Sequence, residues 1–467
     1  MKNYFNRLSV ILPFFILGCN QVQKSQDKKE VKTQKFNGVK GEVKLITLDP
    51  GHFHASLILK SMYKQMNPKV YVYAPDGQDV NDHLQRVESF NTRTKNPTSW
   101  DLKVYRGNDF FRKMIFEKPG NLMNVSGNNS KKTEYISQAV GAGINVLADK
   151  PMAIDAEDFQ LLEKSFKVAE ENGVLLYDIM TERYEITTIL QKEFSKIPSV
   201  FGELVIGTPE EPAITKESIH HFFKLVAGIP LKRPAWFFDT RQQGEGIVDV
   251  NTHLVDLIQW GAFPEQILSK EDVEIVSARR WTTDLTPEMF KTITHMDKYP
   301  DYLKKDVDGN ILKVYSNGEI IYQLKGIYAK ASVIWNFEAP DGAKDTHYSI
   351  MRGTKCNLII EQGKNEEYKP RLYIDSKIEG FSVQVLERAI TDLSEKYSGL
   401  SLVQINDKRW AIDVPDKYKL DHEAHFAQVT EKYLRFLKEG KLPDWEVPNM
   451  ITKYYTTTQA LKLAREQ

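Results

Sequence analysis

The sequence predicts an α/β protein: a doubly wound parallel sheet, then a C-terminal α+β domain with a large, mainly antiparallel sheet. Three observations predict it. Residues 43–178 alternate short apolar runs with helical runs, the pattern of βαβ units. Beyond residue 200 the pattern changes to alternating strand-like runs parted by Gly and Asp turns. The 467 residues, 41% hydrophobic and 27% charged, supply apolar material for two sizeable cores.

The elements follow in order. Residues 43–48 read as a buried strand and 55–66 as a helix. A second strand, 70–73, leads into Asp76 and Gly77. The stretch 77–120 is longer than an ordinary connection and holds 100–105, an extra strand or lid. Strand 121–125 enters a polar turn through Gly127, Asn128 and Asn129. A helical run, 131–140, stops at Gly141 and Gly143, and another short apolar strand ends in Asp149, Lys150 and Pro151. Pro151 cannot donate to a ladder, so the strand stops there and presents Lys150 at the carboxyl edge of the sheet. Helix 156–171 and strand 173–178 complete the unit, and 178–184 crosses to the second domain. There, strand-like runs occupy 273–278, 319–324, 329–337, 348–352 and 357–361, followed by helices at 382–398, 423–439 and 451–464.

The N-terminus carries an address. Lys2 and Arg7 precede a short apolar run at 8–17, too brief to span a membrane. Leu17, Gly18 and Cys19 then resemble a bacterial lipobox, in which Cys19 is lipidated. Residues 20–41 are polar and cannot bury enough surface to fold. The expected organisation is a signal peptide at 1–18, a lipidated Cys and tether at 19–42, a cofactor domain at 43–185 and a substrate domain at 186–467. The expected location is the bacterial cell envelope. Cys356 is the sole other cysteine, which excludes an internal disulfide once Cys19 is acylated, and a Cys-based zinc site. The formal net charge is zero with no basic stripe, so no nucleic-acid partner is expected.

The chemistry concentrates at 244–256. Gly244 and Gly246 lead into Asp249, His253 and Asp256, spaced four and then three apart, which on a helix places all three on one face. A carboxylate and an imidazole so placed can orient a hydroxyl and take its proton, since histidine titrates near working pH. The same spacing also describes a hydrogen-bonded core helix.

Together, Asp149-Lys150-Pro151 and the Gly-rich entry to Asp249-x-x-x-His253 resemble the Gfo/Idh/MocA oxidoreductases, typified by glucose-fructose oxidoreductase and inositol dehydrogenase. The family's hallmark after the strand is Glu-Lys-Pro. Residues 200–205 resemble its entry into the second domain, and the last two helices its C-terminal end. The resemblance implies a Rossmann-type first domain, NAD, and catalytic roles for Lys150, Asp249 and His253. It also implies substrate contacts at Arg183 and Tyr184, a carbohydrate substrate, and a homo-oligomer formed through the C-terminal sheet.

The cofactor loop departs from the family. Where a dinucleotide fold has Gly-x-Gly-x-x-Gly, this chain has Asp49, Pro50, Gly51, His52, Phe53 and His54, and only the middle glycine remains. The expected cofactor contacts are Gly51, His52, Phe53 and His54, with Gly127, Asn128, Asn129, Asp149 and Lys150. Asp76, 25 positions after Gly51, stands near the roughly 20 expected of the ribose-binding acid, and favours NAD over NADP. Lys132 occupies a position where the family has His.

His220, His221, Arg233, Trp236 and Arg241 lie in a loop-like stretch that could face a sugar, with Trp236 as a platform for its C–H face. No carboxylate stands at ligand spacing from His220 and His221, so no metal is expected. His295 and His347 read as ordinary histidines. The expected activity is NAD-dependent oxidation of a sugar or glycoside hydroxyl, forming a 3-keto-glycoside, with the cofactor tightly bound. Two alternatives stay open: an NAD-dependent glycosidase that oxidises transiently and eliminates, and a non-catalytic carbohydrate-binding lipoprotein.

Overall fold

The computed structural model describes residue 1 and residues 35–226, 229–340 and 343–467. Lys2, Arg7 and Cys19, with the signal peptide and most of the tether, lie outside the described residues. No helix among the described residues is long and apolar enough to cross a membrane.

The first sheet is wholly parallel, in the order β3-β2-β1-β4-β5-β6. Its strands are β1 (Leu45–Leu48), β2 (Lys69–Ala74), β3 (Asp101–Arg106), β4 (Leu122–Val125), β5 (Asn145–Asp149) and β6 (Leu176–Ile179). Strands β1, β4, β5 and β6 are buried along their whole length, as a sheet covered on both faces requires. The connecting helices are α1 (His54–Leu57), α2 (Gln78–Thr92), α3 (Phe110–Glu117), α4 (Lys132–Gly141) and α5 (Ala156–Glu171). The run expected as an extra strand or lid is β3, an edge strand, and α2 fills the long connection before it.

Helix α1 is much shorter than expected, giving way to a 3-10 turn that ends at Lys60. Side chains from elsewhere take its last carbonyls: Trp100 Nε1 donates to Leu59 O at 2.7 Å and Arg93 Nη2 to Lys60 O at 2.6 Å. The following residues turn back to pair with the chain entering β1, where the Val43 amide donates to Gln65 O at 2.9 Å.

The second sheet begins after α6 (Ile186–Ser195) with β7 (Ile214–Phe223). Two short strands, β8 (Leu225–Val226) and β9 (Ile229–Pro230), form a separate hairpin. After α7 (Thr240–Gln243) and α8 (Asn251–Ala262) come β10 (Val273–Leu285), α9 (Pro287–Thr294), β11 (Val307–Asp308), β12 (Ile311–Leu324), β13 (Ile327–Glu338), β14 (Thr346–Arg352), β15 (Cys356–Glu361) and β16 (Arg371–Ser376). Then follow α10 (Val383–Ser394), β17 (Ser401–Asn406), β18 (Arg409–Asp413), α11 (His422–Glu439) and α12 (Glu446–Glu466). The order is β10-β12-β13-β7-β14-β15-β16-β18-β17, with β11 on β12. Only β7 and β13 pair in parallel.

The C-terminal helices tie the two sheets together. Phe426, Val429, Tyr433 and Phe436 of α11 belong to the core of the first sheet, so that core draws on residues far beyond 185. Helix α12 contributes Met450 and Tyr454 to the first core and Ala460, Leu461 and Ala464 to the second. Between them runs a buried ion network. Arg183 Nε and Nη2 each meet Asp256 at 2.7 Å, and Arg183 Nη1 meets Glu446 at 3.0 Å. Lys453 Nζ lies 2.7 Å from both Asp256 and Asp178. Arg183 and Asp256 are thereby consumed in joining β6, α8 and α12. This corrects the expectation that Arg183 meets substrate and that Asp256 shares a working face with His253.

Candidate active site

A cavity of about 490 Å³ opens at the carboxyl edge of the first sheet, between β5, the loop after β1, α8 and β7. That is the crevice where open α/β sheets bind ligands, and its size suits one small organic molecule.

Lys150 follows β5 directly, and the Lys150–Pro151 peptide is cis. Its Nζ donates to Asp249 Oδ1 at 2.6 Å, a charge-assisted contact with both side chains nearly buried. Asp249 reaches it from a turn, since α8 begins only at Asn251. The turn needs its glycine: a Cβ on Gly246 would sit 2.0 Å from Ser316 O of β12. His253, on the first turn of α8, lines the cavity, and its buried Nδ1 has no hydrogen-bond partner among the described residues. Burial first, then the nearby Lys150 charge, holds its imidazole well below the usual range. At neutral pH it is uncharged and able to accept a proton.

Across the cavity, His54 Nδ1 lies 2.9 Å from Asp149 Oδ2, and His52 Nδ1 lies 3.9 Å from the same oxygen. Burial pushes both imidazoles down. Burial alone would raise the Asp149 carboxyl, but the charge and hydrogen bond of His54 outweigh it and hold Asp149 low. Lys132 is buried and donates to Asp149 O at 3.0 Å, and burial lowers its own ammonium to about 8.

Seven of the ten histidines line this cavity, which marks it as a place for proton transfer or metal binding. The sequence names His220 and His221, though on a loop rather than on β7, and gives no sign of Trp335, Asp345, Glu182 or His422. His220 stacks on Trp335 at 4.9 Å, and the two are register partners on β7 and β13. Asp345 gathers His220 at 3.3 Å, His221 at 3.2 Å and Lys224 at 2.6 Å, which accounts for the paired histidines without a metal. His347, read as ordinary, lines the cavity as well, with Glu182 and His422. Trp335 reaches His220 through the parallel pairing of β13 with β7, and Asp345 reaches it from the residue before β14, both far along the chain, so neither leaves a local signal in the sequence.

The four expected substrate residues stand elsewhere. Arg183 is locked in the buried network and Tyr184 packs against the first core. Arg241 pairs with Asp239 at 2.7 Å and Asp306 at 3.0 Å. Trp236 covers the loop after β1: its Nε1 donates to Asp79 Oδ2 at 2.8 Å, and a Cβ on Gly51 would lie 3.1 Å from its ring. The prolines and Trp of this stretch fit a loop over the cofactor domain as well as one over a sugar, and composition could not separate the two.

The expected cofactor residues divide. His52, Phe53, His54, Gly127, Asn129, Asp149 and Lys150 line the cavity. The turn after β4 is fixed by Asn128 Nδ2 donating to Gln242 Oε1 and Asn129 Nδ2 to Gln243 O, each at 2.6 Å. Asp76 stands at the carboxyl end of β2, exposed and paired with Arg106 at 3.0 Å, and Gly77 beside it faces open space. A nicotinamide dinucleotide therefore fits at its two ends. Over the middle, Trp236 and Asp79 must move aside before a diphosphate reaches Gly51.

Two buried histidines, one on α2 and one on α11, predict acid sensitivity. Burial, aided by Arg86, lowers His83 to about 3, and burial lowers His425 to about 4. Unfolded, both titrate near about 6.5, so below that pH the unfolded chain binds more protons and stability falls as pH drops. From these two groups, stability at pH 5.5 should be about 2–3 kcal/mol lower than at pH 7. Urea midpoints at the two pH values check it, and equal midpoints would contradict the burial of neutral imidazoles.

Comparison with known proteins places the chain. Residues 190–465 match the family described as "Putative oxidoreductase C terminal domain". The crystal structure of a "putative oxidoreductase" from Parabacteroides merdae ATCC 43184 is 56% identical with TM-score 0.90, covering 93% of this chain and 100% of that one. The chain belongs to this oxidoreductase family, consistent with its Gfo/Idh/MocA-type motifs. The oxidoreductase also shares its fold with levoglucosan dehydrogenase in complex with NADH and levoglucosan, at 11% identity and TM-score 0.59, covering 91% of this chain and 97% of that one. A mutant of a 3-ketoreductase from Actinomadura kijaniata, in complex with TDP-benzene and NADP, matches at 13% and TM-score 0.55, covering 90% and 97%. None of the curated proteins matches the oxidoreductase.

Proposed function

We propose that this oxidoreductase oxidises a hydroxyl group of a sugar or glycoside, using a nicotinamide cofactor that stays bound between turnovers. The observation that carries the reading is the Lys150–Asp249 ion pair on the same cavity wall as the neutral, unpartnered His253.

His253 accepts the hydroxyl proton, because burial keeps it in its basic form. Lys150 stabilises the negative charge that grows on the same oxygen, and Asp249 holds the ammonium in place. The stacked His220 and Trp335 give a flat wall on which the C–H face of a pyranose can rest. The nicotinamide, when bound, would supply the hydride acceptor. Asp76 would hold the adenosine ribose and favour NAD, since a 2′-phosphate would meet its charge. The sugar-dehydrogenase and ketoreductase neighbours support the substrate class, and a 3-keto-glycoside is the product we expect.

One observation favours a second reading, transient oxidation followed by elimination of the glycosidic substituent. Burial and the nearby Glu185 push Glu182, which lines the cavity, up to about 7. Much of it is then a carboxylic acid able to protonate a leaving group.

The proposed location is the cell envelope, with Cys19 as the lipid anchor. No free nicotinamide pool exists there, which is why the cofactor must be retained. Trp236 over Gly51 gives retention a physical basis: exchange requires the cover to open.

Purification without added cofactor, then denaturation, should release near-stoichiometric NAD or NADH, and glycosides should be turned over. An empty protein that also binds no added NAD would defeat the redox reading and favour the binding lipoprotein. In Trp236→Ala, exchange of bound for labelled NAD should quicken about tenfold or more, because the open state is no longer a minor one. An unchanged exchange rate would remove Trp236 from that role.

A further inference from the structure

We propose that His52, His54 and Asp149 form a binding site for a divalent first-row transition-metal ion, Zn²⁺ or Fe²⁺, with open coordination positions facing the cavity. One ligand atom from each of the three lies within 4.8 Å of the others. Nothing in the activity proposed above needs an ion there, and the site stands whether or not a dinucleotide enters.

The donor set is specific. Two imidazoles and one carboxylate leave positions free on zinc in catalytic sites and on iron in facial-triad sites. Magnesium and calcium would prefer a shell of oxygens. The spacing agrees as well. Ligands about 2.1 Å from an ion are separated by about 3.0 Å in octahedral and about 3.4 Å in tetrahedral geometry. The His54 Nδ1–Asp149 Oδ2 edge, 2.9 Å, matches the octahedral spacing, and the His52 Nδ1–Asp149 Oδ2 edge, 3.9 Å, is about 0.5 Å longer than the tetrahedral one. The contacts present without an ion are the weaker account of His52. Its Nδ1 is beyond hydrogen-bond distance of the carboxylate and accepts only the His54 amide at 3.3 Å.

The surroundings are those of a prepared site. Asp149 ends β5 and His54 opens α1, so both ligands stand on regular elements. Lys132 fixes the Asp149 backbone carbonyl, and such outer contacts orient ligands. Lys150 and Asp249 neutralise each other, leaving Asp149 to balance the ion. The inference also accounts for the loop after β1. His54 stands where a dinucleotide loop has its third glycine, and Asp149 stands where the resembling family has a glutamate. An ion here would present a Lewis-acidic position to a water molecule or to a hydroxyl or carbonyl oxygen of a bound polyol.

The test is metal binding itself, on the full chain stripped with a chelator and titrated with Co²⁺ as a visible probe, with Zn²⁺ in competition. About one equivalent of Co²⁺ should bind with a ligand-field spectrum that Zn²⁺ abolishes. His54→Ala and His52→Gln should weaken binding by about 100-fold or more. His295→Ala, an exposed histidine outside the cavity, should bind like the wild type. Asp149→Asn keeps the side-chain shape, and serves if circular dichroism shows His54→Ala unfolded. No cobalt spectrum in the wild type overturns the proposal, and so does unchanged affinity in folded His52→Gln and Asp149→Asn. None of these readings uses NAD or turnover, so they are independent of the oxidoreductase reading.

Discussion

Replacing Asp256 by Ala should destabilise the protein by about 3–5 kcal/mol, the loss expected when one member of a buried ion pair is removed. Against a total stability of about 5–15 kcal/mol, that is a third or more. Asp256 is nearly fully buried and accepts from Arg183 Nε, Arg183 Nη2 and Lys453 Nζ, each at 2.7 Å. Burial opposes its charge, but Arg183 and then Lys453 overcome that and hold the carboxyl low. Without it, Arg183 keeps only Glu446 and Lys453 keeps only Asp178, so each buried cation loses one of its two carboxylate partners, away from water. Asp256→Asn preserves the volume but turns an NH₂ group toward donors, and should cost nearly as much. Because the cluster joins β6 to α8 and α12, both cores should loosen in one transition. Urea unfolding followed by tryptophan fluorescence measures it. A cost below about 1 kcal/mol, the scale of an exposed pair, would show that the network is not holding the halves together.

How much of this was legible in the sequence depends on whether the determinant was local. Strands β4, β5 and β6 are short apolar runs with breakers at their ends, and the residues announce them directly. Lys150 was legible because Pro151 fixes where β5 stops, and the parallel order then carries Lys150 to the ligand-binding edge. Helix α8 was legible as a helix but not in its phase. Asp249 sits in the turn before Asn251, and Asp256 faces α12 rather than His253. Spacing rules assume a helix already begun, and only the approach of Gly246 to β12 reveals that it has not. The shortening of α1 depends on Trp100 and Arg93, which arrive from beyond α2. The His54–Asp149 contact joins residues 95 positions apart, so no ligand spacing in the chain could report it. Trp236 shows the limit from the other side. Its residue type was read as a sugar platform, while Trp335, on a strand with no loop signals, holds the wall of the cavity.

The catalytic assignment leads to the other large effect. In His253→Asn, kcat on an identified sugar substrate should fall by about 10²–10⁴, the usual contribution of a positioned general base. Asparagine fills much of the same volume and can hold a hydroxyl in place, so KM should change little. A fall in kcat without a matching rise in KM distinguishes lost proton transfer from lost binding. Lys150→Ala should act differently. It removes the cation from the developing charge and leaves Asp249 buried without its partner, so kcat should drop by about 10²–10³. Lys150→Arg should recover part of that loss, since the charge returns with altered geometry. The pH profile gives a separate check. Burial and Lys150 keep His253 neutral below its ordinary titration range, so the acid limb of wild-type kcat should fall well below pH 6.5 wherever the protein remains folded. In Lys150→Ala that limb should move upward, because the nearby positive charge that disfavours protonation is gone. Full turnover in both His253→Asn and Lys150→Ala would move the chemistry away from this wall of the cavity, toward His54 and Asp149 on the opposite one.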